Sequence, residues 1–123
     1  MENFKISKIT IAAVNINLMV EFYENVFSIN FVKKELGGFT LYQGKFGELE
    51  LLLCPNEIAG VEADQSRYQP DIIVPDLDTV IDAALKFGGK IKDEIIETSQ
   101  NRMASILDPD GNTLVFIQNK EIA

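Results

Sequence analysis

The side chains that could do chemistry in this chain are limited first by one missing residue type. Its 123 residues contain no histidine, which is the commonest general base and the commonest ligand for transition metals in proteins. Imidazole-assisted serine and cysteine nucleophiles are excluded for the same reason. Any chemistry must therefore use Asp, Glu, Lys, Tyr, Cys, Arg or a cofactor.

The single cysteine, Cys54, is a poor candidate for a nucleophile. It ends a predicted strand, and no adjacent basic residue is present to lower its pKa. One cysteine cannot form a disulfide within the chain, and the sequence shows no signal-like stretch and no apolar run of about 18 residues. These features predict a soluble protein in the reducing cytoplasm.

An acidic corner, "ILDPDGNTLVFIQ" at residues 106–118, is the most distinctive local motif. Pro109 fixes its own φ, Asp108 and Asp110 can bond the local backbone, and Gly111 supplies a positive φ. The apolar runs on both sides predict a hairpin between two strands. Such a corner is first of all turn chemistry, so Asp108 and Asp110 are expected to be structural.

The elements that must position any site occur in the same order twice. Alternation and helical spacing predict strand 7–14, helix 15–27 and strands 30–36, 38–44 and 47–55, then strand 69–75, helix 76–87 and strands 90–98, 101–108 and 112–119. Asn15 or Asn17 would cap the first helix and Asp76 or Asp78 the second. Residues 56–68 read as a polar connection. The fold class is therefore α+β, a tandem βαβββ repeat with units at about 6–55 and 69–119.

Each repeat leaves one face of its sheet without a covering layer. A curved four-stranded sheet with one helix on its outer face needs a second unit to complete the layer on the inner face. We therefore expect a single domain over residues 1–123 in which a curved mixed sheet encloses a cup or partial barrel.

The repeat and the corner together resemble the vicinal oxygen chelate superfamily, which includes glyoxalase I, extradiol dioxygenases and the bleomycin and fosfomycin resistance proteins. Three stretches carry the likeness: "VNINLMVEFYENVFSINF", "VPDLDTVIDAALKFGGKI" and "DPDGNTLVFIQ". They look like the family's first helix with its following strand, its second helix with the Gly-Gly turn, and its closing hairpin. The resemblance covers nearly the whole chain.

The resemblance also implies where a metal ion would be held, since the family's shared chemistry is a metal that binds two neighbouring substrate oxygens. The four implied ligand positions are Lys8, Glu50, Gln69 and Val115. Only Glu50 is a strong ligand, Gln69 is a weak neutral one, and the Lys8 ammonium would repel a cation. We expect no bound metal and no other cofactor.

The positions implied by the resemblance and the alternation of the strands together give a candidate ligand-binding set. The inward face is predicted to carry Thr10, Ala12, Gln69, Asp71, Ile73, Met103, Ser105, Val115 and Ile117. Such a mixed lining fits either a small-molecule pocket or a partly filled interior. Lys8 and Glu50 are expected to pair across the floor, where they would orient a polar or zwitterionic ligand or merely neutralise each other.

Three functions are compatible with this pattern. The leading hypothesis is a metal-free module of the bleomycin-resistance type that binds a small hydrophobic or amphipathic molecule. The alternative is an atypical lyase, isomerase or dioxygenase of the same superfamily with Glu50 as the catalytic base or lone metal carboxylate. A third is an accessory module that acts through another protein.

The net charge and the exposed strand edges indicate which kinds of partner to expect. A net charge of −8 argues against nucleic acid and against membranes as partners. Exposed strand edges tend to be covered, and members of the resembled family commonly form two-fold dimers, so we expect a homodimer. Whether the repeats of one chain close a cup by themselves or exchange with a second chain stays open.

Overall fold

The computed structural model describes residues 6–55 and 69–120. The chain divides into two compact units, Met1–Asp64 and Gln65–Ala123. Among the described residues, no helix is long and apolar enough to span a membrane. The connection predicted at residues 56–68 lies outside the described residues.

The first unit is one βαβββ repeat. Strand β1 (Lys8–Ala13) leads into helix α1 (Ile16–Phe27), which strands β2 (Val32–Leu36), β3 (Phe39–Phe46) and β4 (Leu49–Pro55) follow. The sheet order is β1-β4-β3-β2, and β1 pairs with β4 in parallel while the other two pairings are antiparallel. The long crossover through α1 is what allows β1 and β4 to run in the same direction.

Helix α1 covers one face of this sheet because its apolar residues recur at helical spacing. Met19, Phe22 and Tyr23 are its buried residues. The ring of Phe27 lies 4.8 Å from that of Phe46 on β3, which identifies the face of the sheet that the helix covers. Leu51 and Leu53 of β4 belong to the same face and are almost fully buried.

The second unit repeats the order with different lengths. Strand β5 (Asp71–Ile73) is followed by helix α2 (Leu77–Lys86) and strands β6 (Lys90–Glu97), β7 (Asn101–Leu107) and β8 (Thr113–Asn119). Their order is β5-β8-β7-β6, with β5 and β8 parallel. Leu77, Ile81 and Ala84 are the buried residues of α2.

The acidic corner closes the β7–β8 hairpin through Asp108, which is 3% exposed. Its Oδ1 accepts hydrogen bonds from the backbone N–H groups of Asp110 and Asn112 at 3.0 and 2.9 Å, and its Oδ2 accepts one from Asn112 Nδ2 at 3.0 Å. Gly111 has a φ of 85°, a conformation that favours glycine. The hairpin predicted from this motif is confirmed.

The predicted α+β class and tandem βαβββ order are confirmed. The strands form two four-stranded mixed sheets, and neither closes into a barrel. The helices begin after Asn15 and Asp76, the first of the two caps expected for each. Strand β5 is shorter than predicted, although Pro70 O and Val74 N still bond to β8.

Candidate functional site

Each sheet has one face that its own helix does not cover, and the predicted site residues lie mostly on these open faces. In the first unit, Phe46 and Leu49 are register partners on the helix side, so alternation places Lys8, Thr10 and Glu50 on the open face. Lys8 and Thr10 are exposed and Glu50 is half-buried.

Glu50 is the centre of a charged row across three strands. Its register partners are Lys8 on β1 and Lys45 on β3, and directly opposed residues share a face at short distance. Gln43 Nε2 donates a hydrogen bond to Glu50 Oε1. Among the described residues, no ion pair within 4.0 Å joins Glu50 to either lysine. The nearest partner of the carboxylate is therefore an amide, not the predicted Lys8.

Two depressions meet at this row, and both are lined by Lys45 and Glu50. One has a volume of about 690 Å³ and the other about 410 Å³. Their remaining lining residues are Ile6, Ser7, Glu48 and Leu49 for the larger, and Ser28, Asn30, Val32, Gln43 and Gly44 for the smaller. Both depressions are open to solvent, and neither is lined by Lys8, Leu52 or Cys54.

Beyond the charged row, the open face of the first unit becomes apolar. Thr10 and Gln43 are both register partners of Leu52, and Ala12 is that of Cys54. Cys54 is 1% exposed, and burial raises the pKa of its thiol. A buried thiol of this kind is a poor nucleophile. One sheet face thus combines a charged end with an apolar end.

The open face of the second unit is less polar. Val115 of β8 is the register partner of Asp71 on β5 and of Ser105 on β7. The next row is apolar, since Ile117 is the partner of Ile73 and Met103. Asp71 is exposed, whereas Met103, Ser105 and Val115 are half-buried. Gln69 is also exposed, but it lies before the start of β5. The residue of β5 opposite Val115 is therefore Asp71 and not Gln69.

The side chains at the four implied ligand positions do not match a divalent metal ion. Lys8 offers an ammonium, Val115 has no donor atom, and Gln69 offers a neutral amide. Glu50 is the one anionic oxygen donor of the four, and its Oε1 already accepts from Gln43. Among the described residues, no group of three or more His, Cys, Asp or Glu side chains is gathered to hold a metal. Catalytic metal sites usually have three protein ligands.

Sequence reasoning missed Gln43 and Lys45, although the alternation of β3 contained the signal. Residues 43 and 45 have the same parity and lie opposite Leu52 and Glu50. It also missed an ion-pair cluster on the helix side of the second unit, where Arg102 contacts Asp78 and Glu97 at 3.2 Å each. The hydrogen bond to Asp78 is the main cause that raises the pKa of Arg102.

Comparisons with known proteins agree with this architecture. No protein-family model matches the sequence, and no curated protein matches it. Among solved structures, a glyoxalase/bleomycin resistance protein/dioxygenase family enzyme from Burkholderia phytofirmans PsJN superposes with a TM-score of 0.77 at 17% identity, covering 94% of this chain and 98% of that one.

Two further structures are similar over almost their whole length. Lactoylglutathione lyase from Agrobacterium tumefaciens has a TM-score of 0.69 at 18% identity, covering 95% of each chain. TnmS3, an antibiotic binding protein from Streptomyces sp. CB03234, has a TM-score of 0.68 at 16% identity, covering 98% of this chain and 99% of that one.

These similarities confirm, at the level of the fold, the resemblance found in the sequence. Two of the three structures are described as a glyoxalase/bleomycin resistance protein/dioxygenase family enzyme and a lactoylglutathione lyase, and the third as an antibiotic binding protein. The fold is shared by enzymes and by binding proteins, so function has to be argued from the site.

Proposed function

We propose that this protein binds a small amphipathic or hydrophobic molecule without a metal ion, on the open face of its first sheet. The observation that carries the proposal is the change of character along that one face. Lys8, Glu50 and Lys45 form a charged row at one end, and the half-buried Leu52 of the next row is apolar.

The charged row favours a ligand whose polar end is anionic or zwitterionic. It presents two ammonium groups and one carboxylate, and Gln43 already holds the carboxylate. Ammonium groups attract an anionic group most strongly where a nearby apolar surface excludes water. Two open depressions beside Lys45 and Glu50 are where the polar end of such a ligand would lie.

A shared fold gives this proposal some precedent. One structural neighbour is described as an antibiotic binding protein. Binding without catalysis needs only a preformed surface with a few placed polar groups. On the open face of the second unit, Asp71, Met103, Ser105 and Val115 are candidates for further contacts, as is Gln69 beside β5.

A thermal-shift screen with a panel of amphipathic carboxylates and zwitterions tests the proposal, followed by calorimetric titration of the compounds that stabilise the protein. A ligand at one hundred times its Kd adds about 2.7 kcal/mol to the free energy of unfolding. We expect Lys45→Met to weaken the binding of both ligand classes about tenfold, and Glu50→Gln to weaken only the binding of zwitterions, because the Glu50 carboxylate attracts a cationic group and repels an anionic one. Lys86→Met, which removes a lysine from α2, is the matched control and should bind as the wild type does.

Two results would contradict the proposal. One is a complete panel in which no compound raises the melting temperature. The other is a ligand whose affinity Lys45→Met, Glu50→Gln and Lys86→Met all leave unchanged, because that ligand would bind away from the charged row.

The second candidate is a lyase, isomerase or dioxygenase in which Glu50 acts as a base. The observation in its favour is that Gln43 fixes the orientation of this carboxylate beside both depressions, and a general base must be positioned before it can act. Turnover of hemithioacetals or catechols that Glu50→Gln abolishes would support it. Turnover that survives in Glu50→Gln rejects the base role.

Assembly and location complete the proposal. We infer a homodimer, because the terminal strands β2 and β6 are exposed along their whole length and exposed edges tend to be covered. Light scattering should give about twice the chain mass of 13.7 kDa. A cytoplasmic location would suit the one free cysteine, Cys54, which is buried.

A further inference from the structure

Lys45 and Glu50 carry opposite charges on neighbouring strands but do not form an ion pair. They are register partners on β3 and β4, and the Cβ atoms of directly opposed residues are about 5 Å apart. Within residues 6–55 and 69–120, neither belongs to an ion pair within 4.0 Å. Gln43 Nε2 donates a hydrogen bond to Glu50 Oε1. Glu50 Oε2 and the Lys45 ammonium are therefore accessible to the charged groups of a ligand.

The two depressions beside this pair differ in charge. In the part of the chain that the structure describes, the charged residues that line the smaller depression are Lys45 and Glu50. Glu48 is added to these two in the larger depression. The smaller depression therefore presents one cation and one anion, whereas the larger presents two carboxylates for one ammonium.

The balanced charge of the smaller depression favours a zwitterion. A purely anionic ligand would be attracted by Lys45 and repelled by Glu50, and a purely cationic one would meet the reverse. A zwitterion gains both attractions when its ammonium lies at Glu50 and its anionic group at Lys45. The hydroxyl of Ser28 and the amides of Asn30 and Gln43 line the same depression, and such groups can donate to an anion or accept from an ammonium.

Val32 gives the smaller depression an apolar wall. Its side chain is 60% exposed and lines the depression. It is the register partner of Gln43, which precedes Lys45 by two residues on β3, a distance of about 7 Å along a strand. An aliphatic chain of about four carbons covers most of this distance.

We propose that the smaller depression binds an aliphatic α-amino acid, with its ammonium at Glu50 Oε2, its carboxylate at Lys45 and its side chain against Val32. An α-amino acid fits better than a longer zwitterion, because its two charged groups are as close together as the side chains of Lys45 and Glu50. This inference rests on the proposed binding of a small molecule at the charged row, and it adds the class of the ligand and its orientation.

Three compounds with the same hydrocarbon chain test the inference on the wild-type protein. Norleucine has both charged groups, hexanoate lacks the ammonium, and pentylamine lacks the carboxylate. Titrations followed in two-dimensional amide NMR spectra give all three dissociation constants even where binding is weak. We expect norleucine to bind at least about tenfold more tightly than the other two, with the largest shifts at the amides of Gln43, Lys45 and Glu50.

Variants assign each preference to its side chain, after circular dichroism has shown that they fold. Glu50→Gln should remove the preference for norleucine over hexanoate, and Lys45→Met the preference for norleucine over pentylamine. Val32→Ser should weaken norleucine about threefold and leave glycine, which has no side chain to lose, unchanged. Lys86→Met removes a lysine from α2 and should keep both preferences.

Equal binding of the three compounds would contradict the inference. If hexanoate or pentylamine binds within about twofold of norleucine, the two charges do not act together. A preference over hexanoate that survives in Glu50→Gln, or one over pentylamine that survives in Lys45→Met, also overturns the proposed orientation. In each case the proposed function stands if another amphipathic compound binds at the charged row, and it falls with the inference if none does.

Discussion

Replacing Asp108 by alanine should destabilise the protein more than the loss of any exposed carboxylate. Its side chain accepts hydrogen bonds from Asp110 N, Asn112 N and Asn112 Nδ2 at 3.0, 2.9 and 3.0 Å, and Asp108 and Asn112 are 3% and 6% exposed. A hydrogen bond to a charged group contributes about 1.5 kcal/mol or more, and a buried donor left unpaired costs a similar amount. Because water can reach the part-buried N–H of Asp110, we expect the free energy of unfolding to fall by about 3 to 5 kcal/mol.

Urea unfolding followed by far-ultraviolet circular dichroism measures this loss, since the chain has no tryptophan for fluorescence. For a chain of this size the melting temperature should fall by about 10 °C or more. Asp108→Asn should cost about 2 kcal/mol, because its amide oxygen still accepts the two backbone hydrogen bonds as neutral ones, whereas its amide nitrogen is a donor and replaces the oxygen that accepted from Asn112 Nδ2. Asp82→Ala, on the exposed side of α2, is the control and should change stability by less than about 0.5 kcal/mol.

A cost of Asp108→Ala no larger than that of Asp82→Ala would show that the buried carboxylate does not stabilise the corner. A cost of Asp108→Asn equal to that of Asp108→Ala would show that the retained oxygen contributes nothing.

Three further outcomes follow from single contacts and can be measured in the same unfolding experiments. Gly44→Ala should cost about 2 kcal/mol, because a Cβ there would approach Ile29 Cγ2 to 2.6 Å; a cost below about 0.5 kcal/mol, the range of an ordinary surface substitution, would contradict it. Burial raises the pKa of the Cys54 thiol above its ordinary value of 9.0, so iodoacetamide should alkylate it more slowly in the folded than in the urea-unfolded chain. Its contribution to stability is then complete below pH 9.0 and declines as the pH rises further; equal decline in Cys54→Ala would assign that loss to other groups. Gln118→Ala should cost about 1 kcal/mol, because Gln118 Oε1 accepts the hydrogen bond of Leu77 N at 2.7 Å at the start of α2; no loss would mean that water replaces the amide.

The sequence was sufficient for the order of the elements because most elements carry a local signal. Two-residue alternation marks β1, an apolar run that follows the acidic corner marks β8, and the helices begin after Asn15 and Asp76, side chains that are favoured at that position. The acidic corner predicted the last hairpin because Asp108 forms its bonds within five residues of chain. Local patterns of this kind do not depend on the rest of the fold.

The extent of β3 was harder to predict because its glycine has a tertiary role. Gly44 suggested the end of a strand, but β3 continues through it to Phe46. A glycine is required there by the close approach of Ile29, and a glycine inside a strand often marks such an approach. Ending the strand at Gly44 removed Lys45 from the candidate site. The turn at Gly47, with a φ of 62°, then sets the register that places Lys45 opposite Glu50.

The position in the second unit that corresponds to Lys8 also depends on tertiary contacts and could not be predicted from local sequence. Counting seven residues back from the helix cap leads to Lys8 in the first unit and to Gln69 in the second. The count does not fix which residue of β5 lies opposite Val115, since that depends on hydrogen bonds between strands far apart in the chain. Val115 N donates to Pro70 O and Val74 N donates to Ile117 O, and these bonds bring Asp71 opposite Val115. The row beside Val115 therefore contains the carboxylate of Asp71 and the hydroxyl of Ser105, a different set of donors from the one that counting along the chain predicts.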